Sequence, residues 1–487
     1  MKKSDMHALP PLDPGAAEPF YRQIYLRFRH AIAEGLLKPG ERIPAARTLA
    51  EELGLARGTV EAAYALLNAE GYVETRGQAG TVVTPGLKPD SAALPAARPA
   101  SSRPAASNAV SRNTGTSTKP ASILLPPLRP FQLGVPALDA FPRKIWARLA
   151  ARAVRATQIP DMMYPQVFGQ QALRVQIARY LQLSRGIVCA PEQVFVTSGY
   201  RDSLALVARA LLNSGDQVWI EDPCYQPSAD LLHMAGMRLA PIPVDGEGLQ
   251  VGQGLQLAPR ARAAVVTPAH QSPLCVSLSL PRRMALLDWA ARNRSWIVED
   301  DYDGEYRYVG RPLPALKSLD RADRVLYSGT FSKVLFPAIQ LAYLVVPLSQ
   351  VTRFEEVRRA FGTGQPALMQ SIVSEFMAEG HFARHIHRMR KLYAERREIA
   401  ADGLGAVLGK QVQIEAQPGG MHLIMRLRGR RSDRALAARM HEDGMYGHSM
   451  AQRLHQAAQP PALLLGFTNI DTARKAQELG KRLLALL

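Results

Sequence analysis

The segment Ser328-Gly329-Thr330-Phe331-Ser332-Lys333 follows directly on the apolar run Val325-Leu326-Tyr327. A lysine is strongly hydrated, so placing one after a buried-strand pattern costs free energy unless its amine is used. Held among hydroxyls and partly desolvated, it has a lowered pKa and can attack an aldehyde. That is the chemistry by which a lysine takes up pyridoxal 5′-phosphate (PLP) as a Schiff base. Taken alone, such a segment more often holds a solvated lysine on a loop. The segments upstream decide against that reading.

Ser295-Trp296-Ile297-Val298 runs into Glu299-Asp300-Asp301-Tyr302. A pyridine nitrogen stays protonated when a buried aspartate faces it, and a nearby phenol can bond the ring's 3′-oxygen. Gln217-Val218-Trp219-Ile220 runs into Glu221-Asp222-Pro223-Cys224-Tyr225, which offers an aromatic side chain to stack on a ring. Gln193-Val194-Phe195-Val196 runs into Thr197-Ser198-Gly199-Tyr200 and then a helical pattern from Arg201. A small residue, a glycine and a helix start present backbone N–H groups to a phosphate. Ala263-Ala264-Val265-Val266 ends in Thr267-Pro268-Ala269-His270-Gln271. Every apolar run thus carries its polar motif at its C-terminal end, where open α/β sheets bind ligands.

The elements that must position these residues occupy the larger part of a 487-residue chain, 47% of it hydrophobic, with a formal charge of +18. The charge asks for an anionic partner. No apolar run reaches 18 residues, so no membrane span is expected, and the start of the chain lacks the apolar segment of a signal peptide. Three cysteines, Cys189, Cys224 and Cys275, have neither disulfide-framework nor zinc spacing and fit a reducing cytoplasm. His381, His385 and His387 lie near helical spacing but lack carboxylate or thiol partners, so a basic helix face is expected and no metal. Helical patterns are expected over 353–379 and 381–404, followed by a smaller α+β end piece.

Residues 18–85 read as a separate unit. Ile24, Phe28, Ala31 and Ile32 share one helical face. A second helix spans about 46–53 and a third about 57–70, joined only by Gly54-Leu55-Ala56, a turn of helix-turn-helix length. Tyr72 to Val83 reads as two short strands around a Gly-rich tip. Between residues 1 and 85 stand ten Lys/Arg and ten Asp/Glu, so this unit is formally neutral. Residues 86–127 are Pro/Ala/Ser-rich and read as a semi-extended linker.

The residues carry two resemblances. Pro39-Gly40-Glu41-Arg42-Ile43-Pro44, Arg47, Leu49-Ala50, Arg57, Thr59-Val60 and Leu67 through Tyr72 resemble a winged helix-turn-helix of the GntR family. That resemblance implies double-stranded DNA contacts from Arg47, Arg57 and Thr59, with Arg76 and Gly80 at the wing; Gly58 and Ala45-Ala46 depart from its usual polar residues. Residues 128–487 resemble a fold-type I aminotransferase. Together with the linker, the whole resembles the MocR group of bacterial transcription regulators. The expected fold is α/β: a winged helix-turn-helix head, a linker and an aminotransferase-like body. The resemblance implies a head-to-tail homodimer, PLP on Lys333 and response to a small-molecule effector, namely an amine, an amino acid or a vitamin B6 vitamer. Asp300 would pair with the pyridine nitrogen, Tyr302 with the 3′-oxygen, and Tyr225 would stack on the ring. Ser198, Gly199, Tyr200 and Thr330 would hold the phosphate. Gln340 stands where such domains carry a phosphate-gripping arginine, Ala342 where they carry glycine, and Leu274-Cys275 where they carry Thr-Gly. Arg201, in the first turn after the Ser198-Gly199 loop, either supplies part of the missing charge or faces solvent or the partner subunit. Ala462 through Phe467 offers no arginine for a substrate carboxylate, so sensing is expected rather than turnover. The alternatives are a working aminotransferase with an appended DNA-binding module, and a regulator whose body is a PLP-free scaffold.

Overall fold

The computed structural model describes residues 12, 13, 15, 18–76, 80–85, 128–308, 314–362 and 364–487. The proposed linker and the tip of the wing lie outside the described residues. The chain divides into two compact units, residues 1–119 and 120–487.

In the first unit, α1 (Phe20–Ala33), α2 (Ala46–Leu53) and α3 (Arg57–Ala69) precede a hairpin of β1 (Val73–Thr75) and β2 (Thr81–Val83). The apolar face read from the sequence is the core: Ile24, Phe28, Ala31 and Ile32 are buried with Val60, Ala63, Tyr64 and Leu67. Phe28 meets Tyr64 edge to face at 5.6 Å. Gly54 closes α2 in the left-handed region at φ 64°, which glycine adopts without a Cβ clash. The short α2–α3 turn depends on it.

The second unit begins with α4 (Arg143–Ala156) and α5 (Gln171–Arg185), which precede β3 (Val194–Thr197), α6 (Tyr200–Leu211), β4 (Gln217–Asp222) and α7 (Gln226–Met234). Then come β5 (Arg238–Asp245), β6 (Gly248–Leu249), α8 (Val251–Leu257), β7 (Ala263–Val266), α9 (Leu280–Asn293) and β8 (Trp296–Asp301). After α10 (Leu316–Leu319), β9 (Val325–Thr330) and β10 (Ala342–Val345) complete an eight-stranded sheet of order β3-β10-β9-β8-β7-β4-β5-β6. Strands β5, β4, β7, β8 and β9 run parallel, whereas β10 is antiparallel to both β9 and β3. Helices on both faces explain why β3, β7 and β8 are buried along their whole length and read as continuous apolar runs that end in polar residues.

Helices α11 (Val351–Phe361), α12 (Ala367–Ala378) and α13 (His381–Leu408) follow. The helical pattern expected over 353–379 is divided between two helices. Gly364 sits at φ 74° and Pro366 caps α12, so the chain cannot carry helical hydrogen bonds through this stretch. The end piece is an antiparallel sheet of β11 (Val412–Glu415), β12 (His422–Leu427), β14 (Ala462–Gly466) and β13 (His448–Ser449) in that spatial order, with α14 (Asp433–Glu442) and α15 (Ala473–Leu486). Among the described residues no helix is long and apolar enough to cross a membrane. No group of three or more His, Cys, Asp or Glu there could hold a metal ion. His381 instead lies 3.0 Å from Glu379, and His385 meets the carbonyl of Val334.

Candidate functional site

The five strand ends open onto one cavity of about 970 Å³ in the second unit. Ser198, Gly199, Tyr200, Arg201, Tyr225, Asp300, Tyr302, Thr330, Lys333 and Gln340 all line it. The parallel register explains the convergence. β8 and β9 pair Asp300 with Ser328, which puts the aspartate and the lysine turn on neighbouring strand ends.

Lys333 is half-buried and its Nζ donates to the carbonyl of Gly134 at 3.0 Å. Burial lowers its pKa, with Asp303 and Asp300 opposing. Gly134 has φ 66°, and a Cβ there would stand 2.3 Å from Nζ, so only glycine lets this loop approach the lysine. Behind the lysine turn, buried His385 bonds the carbonyl of Val334 at 3.0 Å, and burial lowers its pKa to about 4. The imidazole is thus neutral and its Nε2–H donates to that carbonyl.

Asp300 is buried, and its carboxylate forms no hydrogen bond or ion pair among the described residues. Burial raises its pKa well above the usual carboxylate range, and Asp301 and Asp303 push it the same way. A buried carboxyl of this kind, facing a cavity, calls for a cation on the cavity side. A protonated pyridine ring fits that need. The two neighbouring carboxylates are committed elsewhere: Asp301 is 2.9 Å from Arg185, and Asp303 is 3.0 Å from His270. His270 Nδ1 also lies 3.2 Å from the hydroxyl of Tyr302.

The ring of Tyr225 lies 6.2 Å from that of Tyr200, whose hydroxyl accepts from Ser228 at 3.1 Å. Gly199 caps α6 without a side-chain hydrogen bond. Ser198 directs both its amide and its hydroxyl to Asp202 at 3.0 and 3.2 Å. Asp202 in turn is held by Arg358 at 2.9 Å. The exposed Arg201 forms no ion pair among the described residues, and Gln340 adopts φ 45° at the cavity edge. Thr330 Oγ1 accepts from the amide of Ser332 at 3.1 Å.

The same cavity is lined by residues that the sequence motifs did not mark, His422, His448, Gln452 and Arg453, together with Ser332 of the lysine motif and Leu464 of β14. Arg453 adds a cation that the motifs did not mark. The β14 strand does present Leu464 rather than an arginine, but a guanidinium reaches the cavity from the loop after β13. Nothing in the local sequence around Arg453 signals this. Its placement depends on Asp222, which is 231 positions upstream and accepts from backbone amides of the loop after Arg453.

In the first unit, Arg47, Arg57 and Arg76 are exposed, and each pairs with a nearby glutamate: Arg47–Glu51 at 3.2 Å, Arg57–Glu61 at 2.8 Å and Arg76–Glu74 at 2.5 Å. Arg57 opens α3 and Thr59 lies in its first turn, partly buried. A Cβ on Gly80 would come within 2.8 Å of the Arg42 guanidinium, which packs against the base of the wing. Ala45, one of the departures noted above, is the N-cap of α2, and no side chain caps that helix.

Residues 20–83 match the model of the gntR family of bacterial regulatory proteins, and residues 136–453 match that of aminotransferase class I and II. A probable rhizopine catabolism regulatory protein, MocR, of Rhizobium meliloti is 36% identical over 94% of this chain and 92% of its own length. The pyridoxine biosynthesis transcriptional regulator PdxR of Corynebacterium glutamicum is 32% identical, covering 85% of this chain and 84% of its own. Among solved structures, the α-aminoadipate aminotransferase LysN of Thermus thermophilus is similar with a TM-score of 0.66 and 27% identity, over 73% of this chain and 93% of that one. The second unit thus has the fold-type I aminotransferase architecture, whose family binds PLP. With a DNA-binding head of one family joined to a body of the other, and relatives that share both along nearly their whole length, the chain belongs to the MocR-type regulators of the GntR family.

Proposed function

We propose that the body holds PLP on Lys333 and uses it to sense an amine-bearing effector, and that the head, residues 18–85, carries the response to DNA. The observation that carries this reading is the pairing of a desolvated lysine with a buried, unpartnered Asp300 across one cavity. When bound, PLP supplies an electrophilic carbon that a primary amine can reach. Asp300 would ionise against a pyridinium nitrogen, Tyr302 would donate to the 3′-oxygen, and Tyr225 would cover the ring. The amides of Gly199 and Tyr200 at the start of α6, with Thr330 and Ser198, would take the phosphate. Ser198 would have to turn from Asp202 to do so. Arg201 would contribute positive charge that Gln340 lacks. Regulators of rhizopine catabolism and pyridoxine biosynthesis among the relatives support a small metabolite or B6 vitamer as effector.

In the head, Arg57 and Thr59 would enter the major groove, Arg47 would contact phosphate, and Arg76 with Gly80 would set the wing. Because the head is formally neutral, two heads in a homodimer, joined to their bodies through residues 86–127, would be needed for tight binding. The test is the full-length chain incubated with PLP. The parent should show the absorption of a lysine-bound cofactor, and amines should change both that band and the affinity for operator DNA. Lys333→Ala should lose the band and the amine response while binding DNA as the amine-free parent does. A parent that stays colourless at saturating PLP moves the body to a cofactor-free scaffold, a reading that Gln340 favours. Arg453 favours another, a working aminotransferase, and sustained conversion of an amino acid to its keto acid would establish it.

A further inference from the structure

Cys275 is none of the residues that would hold a bound ring, and its setting is unusual for a buried thiol. It is 3% exposed and stands at φ 61°, in the left-handed region, where any side chain is disfavoured against glycine. Strain of this kind persists only where the surroundings hold the residue in place, and it clusters at functional sites. Two imidazoles flank this thiol. His422 Nε2 lies 3.0 Å from the carbonyl of Pro273, which can only accept, so this nitrogen carries a hydrogen. The same Nε2 lies 3.2 Å from Cys275 Sγ, which sets an N–H against the sulfur and favours the thiolate. Sγ is 3.5 Å from that carbonyl, which already accepts from His422. Burial alone would raise the thiol's pKa, but His422 and then His270 outweigh it and lower it.

The second imidazole supplies what a reaction at the sulfur needs. His270 is 8% exposed; its Nδ1 donates to Asp303 at 3.0 Å, and among the described residues its buried Nε2 has no hydrogen-bond partner. Burial disfavours charge on this ring, yet Asp303 and Cys275 raise its pKa well above the usual imidazole value, so Nε2 carries a proton too. His270, Cys275 and Asp303 line a second, small cavity of about 20 Å³. A single water needs about 10–15 Å³, so this space takes a solute of about two non-hydrogen atoms. Of its other lining residues Pro418 is exposed and Arg307 partly so, which gives such a solute a way in from water. We propose that Cys275 is an oxidation site for hydrogen peroxide, with His422 holding the thiolate and His270 serving the departing oxygen. The sulfur attacks one peroxide oxygen, and an S–O bond forms as the O–O bond breaks. The departing oxygen takes the proton of His270 Nε2 and leaves as water, while the other oxygen keeps its hydrogen as the Cys275 sulfenic acid. Sulfur is oxidised, peroxide is reduced, and His270 is left neutral. Because His422 also lines the large cavity, the added oxygen arrives beside the proposed cofactor site, although the step itself needs no cofactor.

The experiment exposes reduced full-length protein to hydrogen peroxide at neutral pH for timed intervals and then removes the peroxide with catalase. The chain is next unfolded in dimedone, so that trapping of sulfenic acid does not depend on access, and its peptides are mapped by mass. Cys189 and Cys224 serve as internal references, since burial raises their pKa to about 11 and about 12. Cys275 should be modified at least about 10-fold faster than either. In chain unfolded before the peroxide is added, the three should react at similar rates. Equal or slower modification of Cys275 in the folded chain overturns the proposal, and so does a lead that survives unfolding. Cys275→Gly suits φ 61° and should lose the fast modification while Cys189 and Cys224 keep theirs. In His422→Gln the pH of half-maximal rate should rise by about one pH unit or more. His270→Gln should slow the reaction about 10-fold or more across the pH range. Unchanged rates and pH profiles in both variants would overturn the parts given to the two rings.

Discussion

The two units handle charge in opposite ways. In the head, the arginines expected to meet DNA are exposed, and each pairs with a glutamate two or four positions away. The body has exposed pairs of that kind too, such as Arg292–Asp288, but around its cavity charge is buried in networks that join distant elements. Arg185, 3% exposed in its side chain, lies 2.9 Å from Asp301 and 3.3 Å from Glu305, and burial is outweighed by those carboxylates so that its pKa stays well above the usual value. Exposed pairs cost little to break, so the head can hand its arginines to phosphates and bases. Buried ones cannot be released without leaving a partner uncompensated. The comparison teaches that the head is built to exchange partners and the body to hold a shape around its cavity.

The largest effect is expected where that shape is most tightly held. Arg185→Ala leaves Asp301 and Glu305 buried without a cation and should cost about 3–5 kcal/mol, read by denaturant unfolding of the full chain. A loss below about 1 kcal/mol would erase the contrast between the units. Next comes His385, whose pKa is about 4 in the fold against about 6.5 unfolded. A depressed pKa gives stability that is present above pH ~6.5 and is lost as the pH falls towards ~4, roughly 3 kcal/mol in all. His385→Gln should flatten that part of the pH profile, and a parallel profile would show that the imidazole titrates elsewhere.

Ligand effects are intermediate in size. Arg201→Ala should weaken PLP binding by about 1.5–3 kcal/mol and Gln340→Arg should restore it, as measured by titration of the cofactor band. Unchanged affinity in Arg201→Ala would leave that arginine to the solvent. On the head, Arg57→Ala should weaken operator binding by about 1–3 kcal/mol at matched salt if it reads a base. Equal affinity would remove the start of α3 as the reading surface. The smallest effect tests the head's side of the comparison most directly. Glu51→Ala frees Arg47 and should change stability by no more than about 0.5 kcal/mol while slightly tightening DNA binding. A destabilisation like that of Arg185→Ala would mean that the head's exposed pairs hold the fold as firmly as the body's buried ones.

Much of this molecule was legible in its sequence because its signals are local. A helix face such as Ile24, Phe28, Ala31 and Ile32 follows from the helical period, and each buried parallel strand is a short apolar run with a polar end. Since parallel strands all end at the same edge, the polar motifs at the strand ends lie around one cavity, and Gln340, named from the family resemblance, lines it too. The break between α11 and α12 was equally local, since Gly362, Gly364 and Pro366 are helix breakers between two apolar-patterned stretches, but a helical reading of 353–379 does not weigh them.

Only the tertiary structure decided which groups are partnered. The sequence shows Asp300, Asp301 and Asp303 as one acidic cluster, yet Arg185 takes Asp301, His270 takes Asp303, and Asp300 alone is left for the cavity. It likewise shows no arginine on β14, while the fold brings Arg453 to the cavity through amide contacts to Asp222. Local sequence determines periodicity because neighbouring residues share a backbone geometry. The partners of charges that lie tens to more than a hundred positions apart depend on how the elements pack and on how much water that packing excludes.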